Sequence, residues 1–409
     1  MKKETITAAA VLCALGAGFL ACALHTDQPL SLSERRPLAQ RPEVSVQALA
    51  SGNYMSEFET YALDQFPLRE AMRQLKAQVQ YYLLRQKDNN GVYQVDGSLS
   101  KIEAVLSESS VRAAAEKLNR LQETYLTDSR VFYGVVPDKN YYLAEENGYP
   151  HLDYERMDAI LAEGLPHMER IDLYDCLSAE DYYKTDPHWR QEELEKAAGR
   201  VAQALGVSIA PFSDYTQQTY QDFRGAYYGQ SALPLKAEPL HYLTSEALEA
   251  CTVHHYETGA DTGVYETEKL AGKDPYDVFL GGADALETIT NPNAKTDREL
   301  LVFRDSFGSS LAPLLVQDYQ SVTLIDLRYV SAQLLEQFID FHGQDVLFLY
   351  SPSVYNHSDM LRLDSMGKRP RGRCIMHRPR GRFESVGAVQ LPEQPCLSAP
   401  QECCAQVCP

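Results

Sequence analysis

A chain of 409 residues is too long for one small domain and suits one large α/β domain with additions. Hydrophobic residues make up 44% and charged residues 23%, which is ordinary globular usage and excludes a wholly disordered protein. With 38 Lys and Arg against 57 Asp and Glu, the net charge of -19 disfavours a grip on nucleic acid or on an anionic membrane surface.

In chain order, Lys2 and Lys3 precede a charge-free run from Thr5 to Leu24, long enough to cross a hydrocarbon core as a helix. The basic start predicts an inside N-terminus with the rest outside. Residues 1–26 therefore read as a signal-anchor holding the protein to the membrane through residues 5–24, or as a cleaved signal peptide that leaves it secreted. Residues 27–56, with Pro29, Pro37 and Pro42 among polar residues, read as an extended linker. Over 57–87, Leu68, Met72, Leu75, Val79 and Leu83 recur every three or four residues, so the spacing predicts a helix packed along that stripe.

From about 131 strands and helices alternate. Strands are expected at 131–136, 171–174, 300–303, 322–325 and 346–349, and helices at 152–164, 190–205 (ended by Gly206), within 309–318, and at 331–341. That rhythm implies a parallel sheet covered on both faces. Residues 207–298 interrupt it and read as a strand-rich insertion in a domain spanning 57–360. Residues 361–409 hold eight Lys and Arg against four Asp and Glu, while the first 360 residues hold 30 against 53. Five of the nine cysteines lie there, and no period of 2 or 3.6 appears. The segment is expected to be an unstructured basic, Cys-rich tail, either an interaction arm or a stretch past the natural end of the domain, the latter favoured. Of the other cysteines only Cys176 and Cys251 lie in the body, which does not read as a disulfide scaffold.

Two short stretches carry chemistry. Thr185-Asp186-Pro187-His188-Trp189 reads structurally as an N-cap with proline in the first helical turn. Functionally it pairs a general base, His188, with an orienting carboxylate, Asp186. Phe303-Arg304-Asp305-Ser306-Phe307-Gly308 follows an apolar strand, placing Ser306 where open α/β sheets build their sites. Together they give Asp, His and Ser in one of the orders that nucleophilic triads take. Cys251, His254 and His255 are close enough to suggest a metal, but an exposed loop is the better reading, so no metal or other cofactor is expected. Arg328, after a strand, fits an anion or a structural ion pair. No phosphate-binding loop appears, and nucleic-acid partners are not expected.

The Asp186-Pro187-His188-Trp189 stretch resembles the motif that names the bacterial DHHW family, and the Asp-x-His-Trp motif of the alginate O-acetyltransferase group, both similar to SGNH hydrolases in fold. Further matches are Ser33-Glu34-Arg35-Arg36-Pro37-Leu38, Asp64-Gln65-Phe66-Pro67-Leu68-Arg69, Val136-Pro137-Asp138-Lys139, Tyr276-Asp277-Val278-Phe279-Leu280-Gly281-Gly282 and Ile325-Asp326-Leu327-Arg328-Tyr329, so the resemblance spans about 33–350. It implies an SGNH hydrolase-like doubly wound sheet with Ser306 as nucleophile, His188 as base and Asp186 as orienter. Gly281 and Gly282 are candidate oxyanion donors through their backbone N–H groups, and Arg328 is a substrate-binding candidate. The implied activity is O-acyl transfer or ester hydrolysis on O-acetyl groups of a cell-envelope or secreted polysaccharide, with a membrane-bound O-acyltransferase as partner. Where the family pattern has Asn after the glycine pair, this chain has Ala283-Asp284. A catalytically silent polysaccharide-binding or scaffold protein is the alternative.

Overall fold

The computed structural model describes residues 2–363. Its centre is an eight-stranded sheet of β1 (Arg130–Val135), β2 (Glu169–Ile171), β3 (Thr252–His255), β4 (Ala260–Thr262), β5 (Leu286–Thr290), β6 (Arg298–Arg304), β7 (Tyr319–Ile325) and β8 (Asp345–Tyr350). The order across the sheet is β4-β3-β5-β7-β6-β8-β1-β2. The five strands from β7 to β2 run parallel, while β4, β3 and β5 extend the β7 edge in antiparallel sense. The insertion expected at 207–298 thus supplies three strands of the main sheet, besides a separate hairpin pairing 216–223 with 238–244.

Period-two alternation decides the two faces. Val131, Tyr133, Leu301, Phe303, Val346 and Phe348 point to one core, under helices Glu108–Tyr125 and Tyr154–Gly164. Phe132, Leu300, Val302, Leu347 and Leu349 point to the other, under helix Glu195–Leu205. Helix 108–125, which the sequence reading did not anticipate, buries Val111, Ala114, Ala115, Leu118 and Leu121 on a single stripe. The helix expected at 331–341 is only a 3-10 turn over Ala332–Gln337. The chain leaves β6 for β7 on one side and reaches β8 on the other, so the strand order reverses beside the end of β6.

The N-terminal third differs most from expectation. Lys2–Leu24 is one helix, apolar and long enough over Lys3–Cys22 to cross a membrane. Residues 27–56 are not a free linker: Leu30–Ser31 pairs with Arg36–Pro37, and the Asp64 carboxylate accepts from the Arg36 guanidinium and the Ala39 N–H. The region 57–87 contains two α-helices, Asn53–Asp64 and Arg69–Gln78, the second running into one π-turn over Val79–Leu83. Its stripe faces solvent, with Leu68 72% and Leu83 73% exposed; Ala77, off the stripe, is buried, as are Asp64 and Gln65.

The boundary at 361 also moves. Leu361 and Leu363 are fully buried in the first core, and Arg362 exchanges backbone hydrogen bonds with Leu327 and Ala332. The remainder of the expected tail lies outside the described residues.

Candidate active site

The Asp186 loop is not a helix entry. Tyr182 bridges Trp189, Tyr183 N–H donates to the His188 carbonyl, and Arg190 N–H donates to Asp181, closing residues 184–187 into a tight loop. The helix starts later, at Glu195, after a 3-10 turn over Gln191–Glu193. Residues two apart on a helix diverge, but in this loop Asp186 Oδ1 accepts from the His188 N–H at 3.1 Å and faces its ring Nδ1 at 2.5 Å. On the far side of the ring, Nε2 lies 2.7 Å from Ser306 Oγ. Three residues predicted from two distant stretches therefore form one hydrogen-bonded line.

Ser306 sits in the turn leaving β6. Asp305 fixes that turn: its Oδ1 accepts from Phe307 N–H at 3.1 Å and its Oδ2 from Ser351 N–H at 2.8 Å, joining the exits of β6 and β8. Trp189 anchors the loop to the following helix, its indole N–H donating to Ser310 Oγ at 2.8 Å. The His188 ring stacks on Tyr276 at 3.9 Å with 7° between planes, and the Tyr276 hydroxyl donates to the same Ser310. The imidazole is thus held in plane from the face, and at both nitrogens.

Asp186 is wholly buried. Burial pushes its carboxyl upward, but the facing His188, together with Arg35 and the Ala226 N–H, outweighs this and holds it well below the usual range. Its Oδ2 accepts from Ala226 N–H at 2.7 Å and from the Arg35 guanidinium at 3.4 Å. Gly225 is required beside it, since a Cβ there would stand 2.2 Å from Asp186 Cβ. Below lies Lys139, fully enclosed, its ammonium donating to the Tyr183 and Lys184 carbonyls. Burial brings that amine down to about 7, against the pull of Asp186 and Glu238.

His188 and Ser306 open onto a cavity of about 280 Å³ with Ser100, Asp138, Tyr227, Arg328 and Ser353 among its walls. Burial raises the Asp138 carboxyl to about 6 despite the hydroxyl of Tyr154. Arg328 lines the cavity while its guanidinium is gripped by Asp326 at 2.9 and 2.6 Å, which is the structural ion pair among its two sequence readings. A larger cavity of about 360 Å³ lies under the 216–244 hairpin and is lined by none of the predicted site residues. Only the smaller one is lined by His188 and Ser306.

Gly281 and Gly282 are not brought to the Ser306 cavity. Gly281 abuts Glu266 and His255; Gly282 abuts Asp277, and its N–H donates to the Phe279 carbonyl. The oxyanion role implied for them has no geometry here. Cys251, His254 and His255 do not converge either, and they are not an exposed loop: β3 buries Cys251 and His255, and His254 pairs outward with Asp261. His255, Asp284 and Glu287 do bring possible ligand atoms within 4.8 Å. Both His255 nitrogens are already engaged, by Asp284 at 2.5 Å and Thr262 at 2.8 Å, and Glu287 is paired with Arg304 at 2.7 Å. The cluster reads as a buried charge network behind β6. Sequence reasoning missed Arg35, Tyr276 as the stacking partner, and the Ala226 N–H. Arg35 and Tyr276 lay within quoted family matches, which was the available signal.

The fold and this line of side chains define an α/β protein with a Ser-His-Asp constellation at the carboxyl edge of a mostly parallel sheet. Residues 172–325 match the family model described as DHHW protein, a stretch that includes Asp186, His188 and Ser306. Among solved structures, it is similar to a DHHW family protein from Eubacterium siraeum, at 21% identity over 69% of this chain and 98% of that one, with a TM-score of 0.59. It is also similar to PatB1 from Bacillus cereus solved with a sulfonyl adduct, at 20% identity over 64% and 97% of the two chains, with a TM-score of 0.53. These likenesses establish the fold. No curated protein matches the chain.

Proposed function

We propose that the protein is an extracytoplasmic SGNH-like O-acyltransferase or esterase acting on O-acetyl groups of a cell-envelope or secreted polysaccharide. The observation that carries this reading is the continuous line Asp186–His188–Ser306, at 2.5 and 2.7 Å, opening onto a polar cavity. His188 Nε2 takes the Ser306 proton as Oγ attacks the ester carbonyl. Asp186, ionised, fixes the tautomer and stabilises the imidazolium. The imidazolium returns the proton to the departing alkoxide, leaving an acyl-serine. A second hydroxyl, from sugar or water, gives its proton to His188 and takes the acyl group, and His188 passes a proton to Ser306 Oγ as that oxygen leaves, so transferase and esterase differ by acceptor alone.

The 280 Å³ cavity suits an acetyl group with part of one sugar, and its hydroxyl, carboxyl and guanidinium walls suit sugar hydroxyls. The apolar helix Lys2–Leu24 supports placement at a membrane. The family resemblance supports acetyl as the acyl group and a membrane-bound O-acyltransferase as donor partner. A catalytically silent polysaccharide-binding or scaffold protein is the alternative reading, and it requires that Ser306 and His188 make no difference to ester turnover. The purified protein should release acetate from an acetyl ester, and Ser306→Ala or His188→Ala should lower that rate by roughly 10³-fold or more. Equal rates for wild type and Ser306→Ala would overturn the reading.

A further inference from the structure

The segment Ser33–Leu38, only nine residues beyond the apolar helix, reaches the deepest part of the site. Its Arg35 guanidinium contacts Asp186 Oδ2 at 3.4 Å, pairs with Asp274, and donates to the Arg224 carbonyl at 3.0 Å. Its side chain is only 11% exposed and lies over the Phe223 ring. Arg35 takes φ of +54°, an uncommon conformation for a non-glycine residue that persists where its surroundings over-determine it. The surroundings are on both sides. Glu34 is clamped by Arg69 at 2.5 Å and Arg73 at 3.2 Å, and Arg36 by Asp64 at 2.6 Å. Gly229 receives the arm so closely that a Cβ would stand 1.7 Å from the Ser33 carbonyl oxygen.

We propose that Arg35 is a positioning residue of the Ser306 site, holding the Asp186 carboxylate in line with His188 by tying it to Asp274. The inference deepens the function proposed above and rests on it for its meaning. Two effects follow. Arg35 and the Ala226 N–H occupy Oδ2, which leaves Oδ1 aimed at the imidazole. Arg35 also places one positive charge between two buried carboxylates that otherwise repel each other across a low-dielectric space. Asp274 carries the mark of that balance: burial pushes its carboxyl up, and Arg35 pulls it back.

The test follows the pH dependence of His188 modification by diethyl pyrocarbonate in the full chain, located by peptide mapping. The reagent attacks neutral imidazole, so the profile reports when His188 is available as a base. The groups facing the Asp186–His188 pair include Ser306, Phe307, Tyr276, Tyr183, Tyr227, Lys139, Asp274 and the Ala226 N–H, and the variants alter none of them. Arg35→Gln leaves the imidazolium facing two carboxylates without the guanidinium, so the midpoint should rise by about one pH unit. Gly229→Ala, which pushes the arm away without removing a charge, should move it the same way. Arg35→Lys should restore the midpoint towards wild type. An unchanged midpoint in Arg35→Gln, with only a lower melting temperature, would make Arg35 mere packing and overturn the proposal. Should Gly229→Ala fail to fold, the Arg35 pair decides alone. Labelling of Ser306 by a sulfonyl fluoride reads the proposed function separately. An unreactive Ser306 beside a shifted His188 midpoint would end the acyl-transfer reading and leave the positioning role standing.

Discussion

The helical arm over 53–83 and the α/β body treat the same kind of sequence pattern in opposite ways. Helix 108–125 and the arm both carry apolar residues every three or four positions. In the body that stripe is buried: Val111, Leu118 and Leu121 have no exposed surface. In the arm it faces water, with Met72 at 48% and Leu75 at 55% exposed. The arm is held by other means: ion pairs of Asp64, Arg69 and Arg73 with Glu34 and Arg36 of the Ser33–Leu38 segment, the Arg73 guanidinium donating to the Gly229 carbonyl, and the small residue Ala77 packed with Val92, Leu99 and Leu233. A 3.6-residue period shows that a helix has two unlike faces. It does not show which face meets its own domain.

The contrast can be sharpened first where the body is tightest. Gly225→Ala places a methyl against the backbone and side chain of Asp186, at 2.5 Å from Cα and 2.2 Å from Cβ, with nothing flexible to give way. It should reduce ester hydrolysis by at least about 10²-fold and cost about 1–3 kcal/mol of stability. Retention of both under a melting scan and an acetate-release assay would show the Asp186 loop to be looser than its packing.

A smaller effect belongs to Lys139. Its folded value, brought down to about 7, lies below the ordinary lysine value of 10.5, so between these pH values the unfolded chain binds more protons than the folded one. Its contribution to stability therefore rises with pH from 7 to 10.5. Lys139→Met removes that term, so the melting temperature of wild type should rise relative to that of the variant across the window. A difference that stays constant from pH 7 to 10 would mean that the ammonium is not desolvated.

The smallest effect is expected in the arm. Leu75→Ser with Leu83→Ser should change unfolding free energy by no more than about 0.5 kcal/mol, as surface substitutions do. A loss of several kcal/mol in the isolated protein would show that the stripe is covered by the chain itself.

The central strands and the three site residues were legible because their signals are local. A run such as Leu300–Phe303 needs no distant partner to read as a buried strand, and Asp-Ser at its end marks a turn. Asp186 and His188 were found, but for the wrong backbone, since Pro187 suits a helix start as well as the loop that the Tyr182–Trp189 bridge imposes. Arg35 was hidden because its partners lie 151 and 239 residues away, and ion pairs across such separations leave no period. The insertion was read as strand-rich; that its strands extend the main sheet depends on their register with Leu324 and Ile325, which composition does not carry.

The contact between Arg35 and Asp186 also fixes a distance. Eleven Cα-to-Cα steps lead from Leu24, the last residue of the apolar helix, to Arg35, and a chain of that length spans at most about 40 Å. Wherever Leu24 is held, the Asp186–His188–Ser306 line is leashed within that radius. Any polymer or donor protein confined to the same zone meets the site at a local concentration set by the leash, as in an intramolecular encounter, rather than by its abundance in bulk.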